Sequence, residues 1–390
     1  MRVLLSAIGS RGDVQPMVAL ALHLREIGHA ARLCAPPNFG DWIRGFGLPF
    51  VSLGDDLRLG PRYVPGGATT TVATHFETLR GAAADCDVIV GCAVMQTAAP
   101  SVAELLAIPY VYATYAPVTL PSTHHCPVPT YPGPDGADPD TQWDRDAKWW
   151  NDTWRDGLNA QRAAVGLALI DDVRRHVLTD RPLLAADPML APWPTPAELT
   201  VVQTGAWLLS DRQPLPPDVV AFLDAGDPPI YFGFGSMRVA RALGPVLIAA
   251  ARDIGYRAII HRGWADLSAV DDSSDWLAIG QTNHQRLFAR VAAVVHHGGS
   301  GTTTAAARAG VPQVVVPHHY DQYYFAERVV ALGIGAGYEH AEPAADSLSN
   351  ALKSVLSPTV AARARSVAAS VHTDGTSVAA REILGRAAAS

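Results

Sequence analysis

Short apolar runs recur along the chain, each closed by glycine or serine and followed by an amphipathic stretch. Residues 3–8 form the first such run. An uncharged, largely apolar run of this length predicts a strand buried on both faces. It ends at Gly9-Ser10-Arg11-Gly12-Asp13. Val18, Leu20, Ala21, Leu22, Leu24 and Ile27 then supply one apolar helical face, and Gly28 closes it. The spacing places Asp13 at the N-cap and Pro16 in the first turn, where a missing N–H costs little. The same alternation predicts strands at 30–35, 88–90 and 109–113. Helices are expected at 39–46, near 77–84 and at 98–106. Strands separated by helices imply a parallel, doubly wound sheet.

Residues 117–150 break the alternation. They hold many prolines, the pair His124-His125, and Trp143, Trp149 and Trp150. The pattern predicts a long loop leading into a helix that runs to about Val165. Long loops over an open sheet often bind ligands. The alternative is a surface insertion whose tryptophans pack beside the core. Residues 187–229 are again rich in proline and read as a connector between domains. Alternation then restarts, with strands at 230–234, 257–261, 276–279, 293–296 and 313–317. Helices are expected at 243–254, 284–290, 302–309, 323–332, 347–356 and 360–370. The fold class expected is α/β, with two Rossmann-like doubly wound halves and no sequence-level repeat between them.

Composition narrows the function. The 390 residues are 48% hydrophobic and 17% charged, a globular balance that excludes a disordered chain. Lys plus Arg is 30 against 37 for Asp plus Glu, giving a net charge of −7. No basic surplus recommends nucleic acid or an anionic membrane as partner. The first apolar run is too short for a signal peptide, and no 18-residue apolar stretch predicts a membrane span. Four cysteines without a CxxC pair fit reduced thiols in a cytoplasmic protein. No heptad suggests assembly, so a monomer is expected.

The chemistry is expected where strands meet helices. Open α/β sheets bind ligands at the carboxyl ends of strands, where helix N-termini present free N–H groups. Gly9 to Asp13 is one such turn. It is neither GxGxxG nor a P-loop. Asp13 there is either an N-cap or a general base for a bound hydroxyl. Phe232-Gly233-Phe234-Gly235-Ser236 is a second turn. The third, His296-His297-Gly298-Gly299-Ser300-Gly301-Thr302-Thr303, is the most informative. Successive small residues let backbone N–H groups converge on an anion. His297 either bonds a phosphate oxygen or is a satisfied buried imidazole. Adjacent histidines share one metal ion poorly, and no carboxylate stands at helical spacing, so no metal site is expected. In Asp321-Gln322, two polar side chains can bond vicinal hydroxyls, or Asp321 is a second N-cap.

With these segments the chain resembles GT-B nucleotide-sugar glycosyltransferases of family 1, and within them the actinobacterial enzymes that glycosylate glycopeptide antibiotics. The resemblance rests on GSRGDVQPMVALALHLREIGH at 9–29, VQTGAWLL at 202–209 and YFGFGSM at 231–237. It rests further on RGWADL at 262–267, HHGGSGTTTAAARAGVPQVVVP at 296–317 and DQ at 321–322. Sterol glycosyltransferases look similar at GSRGD and HHGGSGTT, so the acceptor class is less specified than the reaction. The resemblance implies two Rossmann-like domains facing a central cleft. Residues 1–205 would bind the acceptor, 206–228 would link, 229–372 would bind the nucleotide sugar, and a helix in 373–390 would cross back.

The resemblance also implies roles. Asp13 is the expected base. Ser10 and Gly12 match the loop that approaches the donor diphosphate, and Ser236 matches the contact from the second domain. His297 matches the diphosphate-binding histidine, with Gly299, Ser300, Gly301 and Thr302 as its backbone nest. Asp321 and Gln322 match the pair that holds sugar hydroxyls. Gln281, Thr282 and Asn283 align with the segment that frames the nucleobase. The usual aromatic platform is missing there, and Trp264 is the expected substitute. Loops around Pro65 and His124 would wall the acceptor.

The implied reaction is an inverting, metal-independent transfer from a dTDP- or UDP-sugar to a hydroxyl, with no cofactor. The small-molecule acceptor would be a glycopeptide antibiotic or its attached sugar. A sterol, triterpenoid or macrolide acceptor stands as the alternative. A nucleotide-sugar epimerase and a non-catalytic nucleotide-sugar binder are the more distant ones.

Overall fold

The computed structural model describes all residues but 60–66, 94, 129–135, 137, 196, 198, 238–242, 265, 266, 268–270, 272, 340–342 and 390. The chain divides into two compact units. One contains Met1–Asp187, Pro192–Leu209 and His372–Ser390; the other contains Pro188–Ala191 and Ser210–Val371.

In the first unit the strands are β1 (Arg2–Ala7), β2 (Ala30–Ala35), β3 (Phe50–Ser52), β4 (Val88–Cys92), β5 (Tyr110–Thr114), β6 (Leu183–Leu184) and β7 (Val202–Gln203). All pair in parallel, in the order β3-β2-β1-β4-β5-β6-β7. β1 and β4 are buried almost throughout, as apolar strands covered on both faces must be. The chain winds outward from β1 to β3, then returns to place β4 on the other side of β1. That reversal is the switch point where such sheets open a crevice at their carboxyl ends.

The second unit repeats the plan. Its strands are β8 (Ile230–Gly233), β9 (Ala258–His261), β10 (Trp276–Ile279), β11 (Ala293–His296), β12 (Gln313–Val315) and β13 (Gly335–Gly337). They are parallel in the order β10-β9-β8-β11-β12-β13, with the switch between β8 and β11. Phe232, Leu247, Ile260, Val295 and Leu352 form the core under one sheet face. Tyr231, Ile259, Leu287, Phe288 and Val294 form it under the other.

Several elements depart from the pattern-based expectation. β3, β6, β7 and β13 are two or three residues long, too short to show a period. Proline opens the Pro217–Asp224 helix inside the expected connector, because a first-turn proline loses no helical hydrogen bond. In the 117–150 segment, Asp138 caps the helix Pro139–Ala164 by accepting from Thr141 N–H at 3.1 Å. Trp143, Trp150 and Trp154 are buried, the latter two in the core with Leu158 and Val177. For these side chains the packing alternative holds. Trp149, at 50% exposed, faces solvent.

The C-terminal helix Gly375–Ala389 packs on the Arg11–Glu26 helix of the first unit. Asp187 accepts from His372 N–H at 2.7 Å where this segment enters, and Arg386 donates to Arg181 O at 2.8 Å. Gly375 lies flat on Gly205, and a β-carbon there would overlap Ala206 O. Gly375→Ala is therefore expected to destabilise the protein by about 1–3 kcal/mol, read from the urea midpoint. An unchanged midpoint would mean that this contact is not tight.

Candidate active site

Each unit places polar groups at the carboxyl ends of its central strands. In the first unit the turn after β1 starts the Arg11–Glu26 helix. Its N-cap is Ser10, not Asp13 as the spacing predicts: Ser10 has extended backbone angles, and its hydroxyl accepts from Gly12 N–H at 3.2 Å. The helix thus begins before Asp13, and Pro16 falls in the second turn. Asp13 is the third helical residue and takes hydrogen bonds back from Ser10. The acid three positions after the cap reaches back to Ser10, as one half of a capping box does, while the Ser10 hydroxyl bonds the N–H one residue earlier.

The Asp13 carboxyl also lies over Gly9, where a β-carbon would overlap Oδ2. Desolvation is the largest influence on it and outweighs the Ser10 hydrogen bonds. The carboxyl is pushed up to about 6 from its ordinary 3.8. Behind it, the Tyr115 hydroxyl donates to Asp13 O at 2.9 Å and lies 3.0 Å from Cys92 Sγ. Trp207 meets the Tyr115 ring edge-on at 6.2 Å. Gln96 Nε2 donates to Ser6 O and Cys92 O, bridging the ends of β1 and β4. No motif marked Tyr115, Cys92 or Gln96, because the carbonyls that Tyr115 and Gln96 reach at Asp13 and Ser6 are distant in sequence.

Of the expected acceptor loops, Pro65 lies outside the described residues. His124 is exposed, and its N–H donates to Ser122 Oγ at 3.2 Å. His125 turns inward instead. Its Nε2 meets Leu120 O at 3.0 Å, and its ring stands edge-on to Trp143 and Trp193.

In the second unit three turns converge. His296, the last residue of β11, is the satisfied imidazole: it meets Gln313 Oε1 at 2.8 Å and accepts from Gly298 N–H at 3.0 Å. His297 is different. Its Nδ1 is sealed from solvent and makes no close hydrogen bond, while a weaker bond with the Gly233 backbone favours the charged ring. Its ring lies between Gly235 and Gly299, and a β-carbon at Gly299 would stand 2.6 Å from Nε2. Desolvation, then the neighbouring His296 and His318, depress it to about 3, so it is neutral at pH 7.

Gly299 is the N-cap of the Ser300–Ala309 helix and offers no side-chain cap. Ser300, Gly301 and Thr302 follow as the first turn, whose N–H groups have no helical acceptor. Thr303 and Thr304 hydroxyls bond back to Gly299 O and Ser300 O. Gly298, at φ +93°, has its α-carbon against Val315 and the Gln322 backbone. Only glycine fits that approach. The turn after β8 closes with Gly235 at φ +57°, followed by Ser236, and Trp264 N–H donates to Gly235 O at 3.1 Å.

The remaining expected residues divide. Asp321 stands at the N-cap of the Gln322–Ala331 helix but makes no capping bond there with its side chain. Gln322 is turned inward. Its Oε1 accepts from His318 N–H at 2.8 Å and His319 N–H at 3.2 Å, and its Nε2 faces Met237 Sδ at 3.4 Å. Its amide therefore shapes the turn and does not face outward to hydroxyls. Asn283 likewise points into its own turn: both amide protons go to Asp211 O and Gln213 O, and Oδ1 caps Arg286 N–H. Gln281 is exposed and Thr282 Oγ1 is buried without a partner, both after edge strand β10.

Tyr320, to which the sequence assigned no role, has φ +60° and is 62% exposed. The left-handed region costs a non-glycine residue about 1–2 kcal/mol. Among the described residues, no group of three or more His, Cys, Asp or Glu is placed to hold a metal ion, and no helix is long and apolar enough to cross a membrane.

Two family models match the chain. The glycosyltransferase family 28 N-terminal domain covers residues 3–124, and the erythromycin biosynthesis protein CIII-like C-terminal domain covers residues 266–383. Glycosyltransferase GtfE of Amycolatopsis orientalis is 45% identical, over 97% of this chain and 96% of that protein. The vancomycin aglycone glucosyltransferase of the same organism is 44% identical, over 98% and 97%. Among solved structures, glycosyltransferase VinC in complex with dTDP superposes with a TM-score of 0.72 over the whole of both chains, at 22% identity. These neighbours identify the fold as GT-B.

The Asp13 environment has a measurable consequence. Between pH 4 and 6 the folded protein holds a proton on Asp13 that the unfolded chain has released. Stability therefore falls as pH rises through that window, and the full loss persists above it. Asp13→Asn removes the titration. Its stability relative to wild type should rise between pH 4 and 6 and then level off, as read from urea unfolding at each pH. A difference that is flat across the window would contradict the burial of this carboxyl.

Proposed function

We propose, from the premise that the chain belongs to the GT-B glycosyltransferases represented by the glycopeptide-antibiotic enzymes, that it transfers a hexosyl group with inversion to a hydroxyl of a glycopeptide-type acceptor. The donor on this reading is a dTDP- or UDP-sugar. A neighbour of the same fold was solved with dTDP, which supports the first of these nucleotides. Four free, buried cysteines suit a reducing cytoplasmic compartment.

One observation carries the reading: the His297 ring, whose Nδ1 makes no close hydrogen bond, stands beside the start of the Ser300–Ala309 helix, which has no side-chain cap. Neutral N–H donors and a helix N-terminus suit a diphosphate, whose charge grows as its bond to the sugar breaks. His297 donates as a neutral imidazole, so this contact needs no protonation at pH 7. Ser236 and the backbone at Gly299, Ser300 and Gly301 complete the donor contacts, with Thr302 as a hydroxyl donor. Asp321 holds a sugar hydroxyl, and Trp264 is the remaining candidate for the nucleobase.

Asp13 is the base. A carboxylate that titrates near 6 is ionised at pH 7 and basic enough to take a proton late in the reaction. The acceptor oxygen forms its bond to the anomeric carbon and loses its proton to Asp13. The electron pair of the broken sugar–phosphate bond leaves on the diphosphate. Ser10 fixes the Asp13 carboxyl, and Tyr115 fixes its backbone.

Nucleotide binding is the first test. Wild type should be stabilised thermally by dTDP or UDP in the presence of EDTA, and His297→Ala should lose most of that shift. A shift of full size in the variant, or none in wild type, would remove the diphosphate assignment. For the chemical step, Asp13→Asn should lower kcat by about 10²–10⁴ while leaving donor affinity in place. The wild-type kcat/KM should fall below about pH 6 as Asp13 takes up its proton. Loss of donor affinity in Asp13→Asn without loss of kcat would refute its role as base.

A further inference from the structure

Tyr320 precedes Asp321 in the turn after β12. Its backbone lies in a region that tyrosine avoids, yet its ring is mostly in solvent. Burial therefore does not offset the strain. The turn around it imposes the conformation. Gln322 Oε1 ties down His318 and His319, His318 Nδ1 bonds Val316 O at 3.0 Å, and the Gln322 backbone is pressed against Gly298. The Tyr320 ring is braced by His319, which meets it edge-on at 4.9 Å and 90°. A strained, exposed, braced aromatic beside a candidate ligand turn is the kind of outlier that points to function.

We propose that Tyr320 is a donor-specificity residue whose ring packs against the C–H face of the donor's pyranosyl group. The proposal rests on the reading of the β11 and β12 turns as the donor site. The face of an aromatic ring carries negative charge density, and a pyranose presents weakly positive C–H bonds on one side. Tyrosine supplies this contact with little conformational entropy to lose. Asp321, its neighbour in the same turn, would take a hydroxyl, so one turn reads both the apolar and the polar edges of the sugar.

The test compares dTDP-glucose with dTDP, and UDP-glucose with UDP, by calorimetric titration of wild type, Tyr320→Gly and Tyr320→Phe. The glycine variant should bind the sugar nucleotides roughly threefold to tenfold more weakly and the bare nucleotides unchanged. The phenylalanine variant should keep wild-type affinity for both. Because glycine relieves the strain, the melting temperature of Tyr320→Gly should equal or exceed that of wild type. Equal affinity of Tyr320→Gly for sugar nucleotides would overturn the proposal. So would a lower melting temperature with parallel loss of both ligands, which would make the tyrosine structural. Failure of wild type to bind any of the four would instead overturn the donor-site reading, and this inference with it.

Discussion

Two polar side chains lie where no β-carbon could stand opposite them. The Asp13 carboxyl covers Gly9, and the His297 ring reaches Gly299. The rest of the arrangement depends on this closeness. It takes water from both groups, and desolvation disfavours whichever form is charged. The acid is therefore raised to about 6 and the imidazole lowered to about 3. One constraint thus yields a carboxylate that is a better base and an imidazole that stays a neutral donor. Both effects need a glycine in the turn, and both turns sit at the carboxyl end of a strand that borders a sheet reversal.

The architecture was largely legible in the chain because long apolar runs and helical faces carry their own period. Nearly every strand of four or more residues lies close to its expected place. What escaped was short or locally disguised. β6 and β7 have two residues each, and no pattern is visible at that length. The Pro217–Asp224 helix hid behind prolines that open it.

The site was legible by residue type and less so by direction. Asp13, His297 and the glycine nest were visible as small-residue turns after apolar strands. Their neighbours Gln322 and Asn283 looked equally suitable, since an amide in a turn has the same sequence appearance whether it faces a ligand or the backbone. The structure turns both inward, where they satisfy N–H and C=O groups that the turns leave without partners. Tyr115 and Gln96 were invisible for the complementary reason: they act on carbonyls of a distant helix and a distant strand, at Asp13 and Ser6, and those pairings exist only after folding. Tyr320 was hidden because its distinguishing feature is a backbone angle.

The proposed chemistry is a single displacement, with Asp13 as the base and the diphosphate as the leaving group. Its stereochemistry is open to direct observation. An α-linked donor such as dTDP-glucose should give a β-glycoside, with the large anomeric proton coupling that identifies it by NMR in the isolated product. An α-glycoside would contradict single displacement and, with it, the assignment of Asp13 as a base acting on the acceptor.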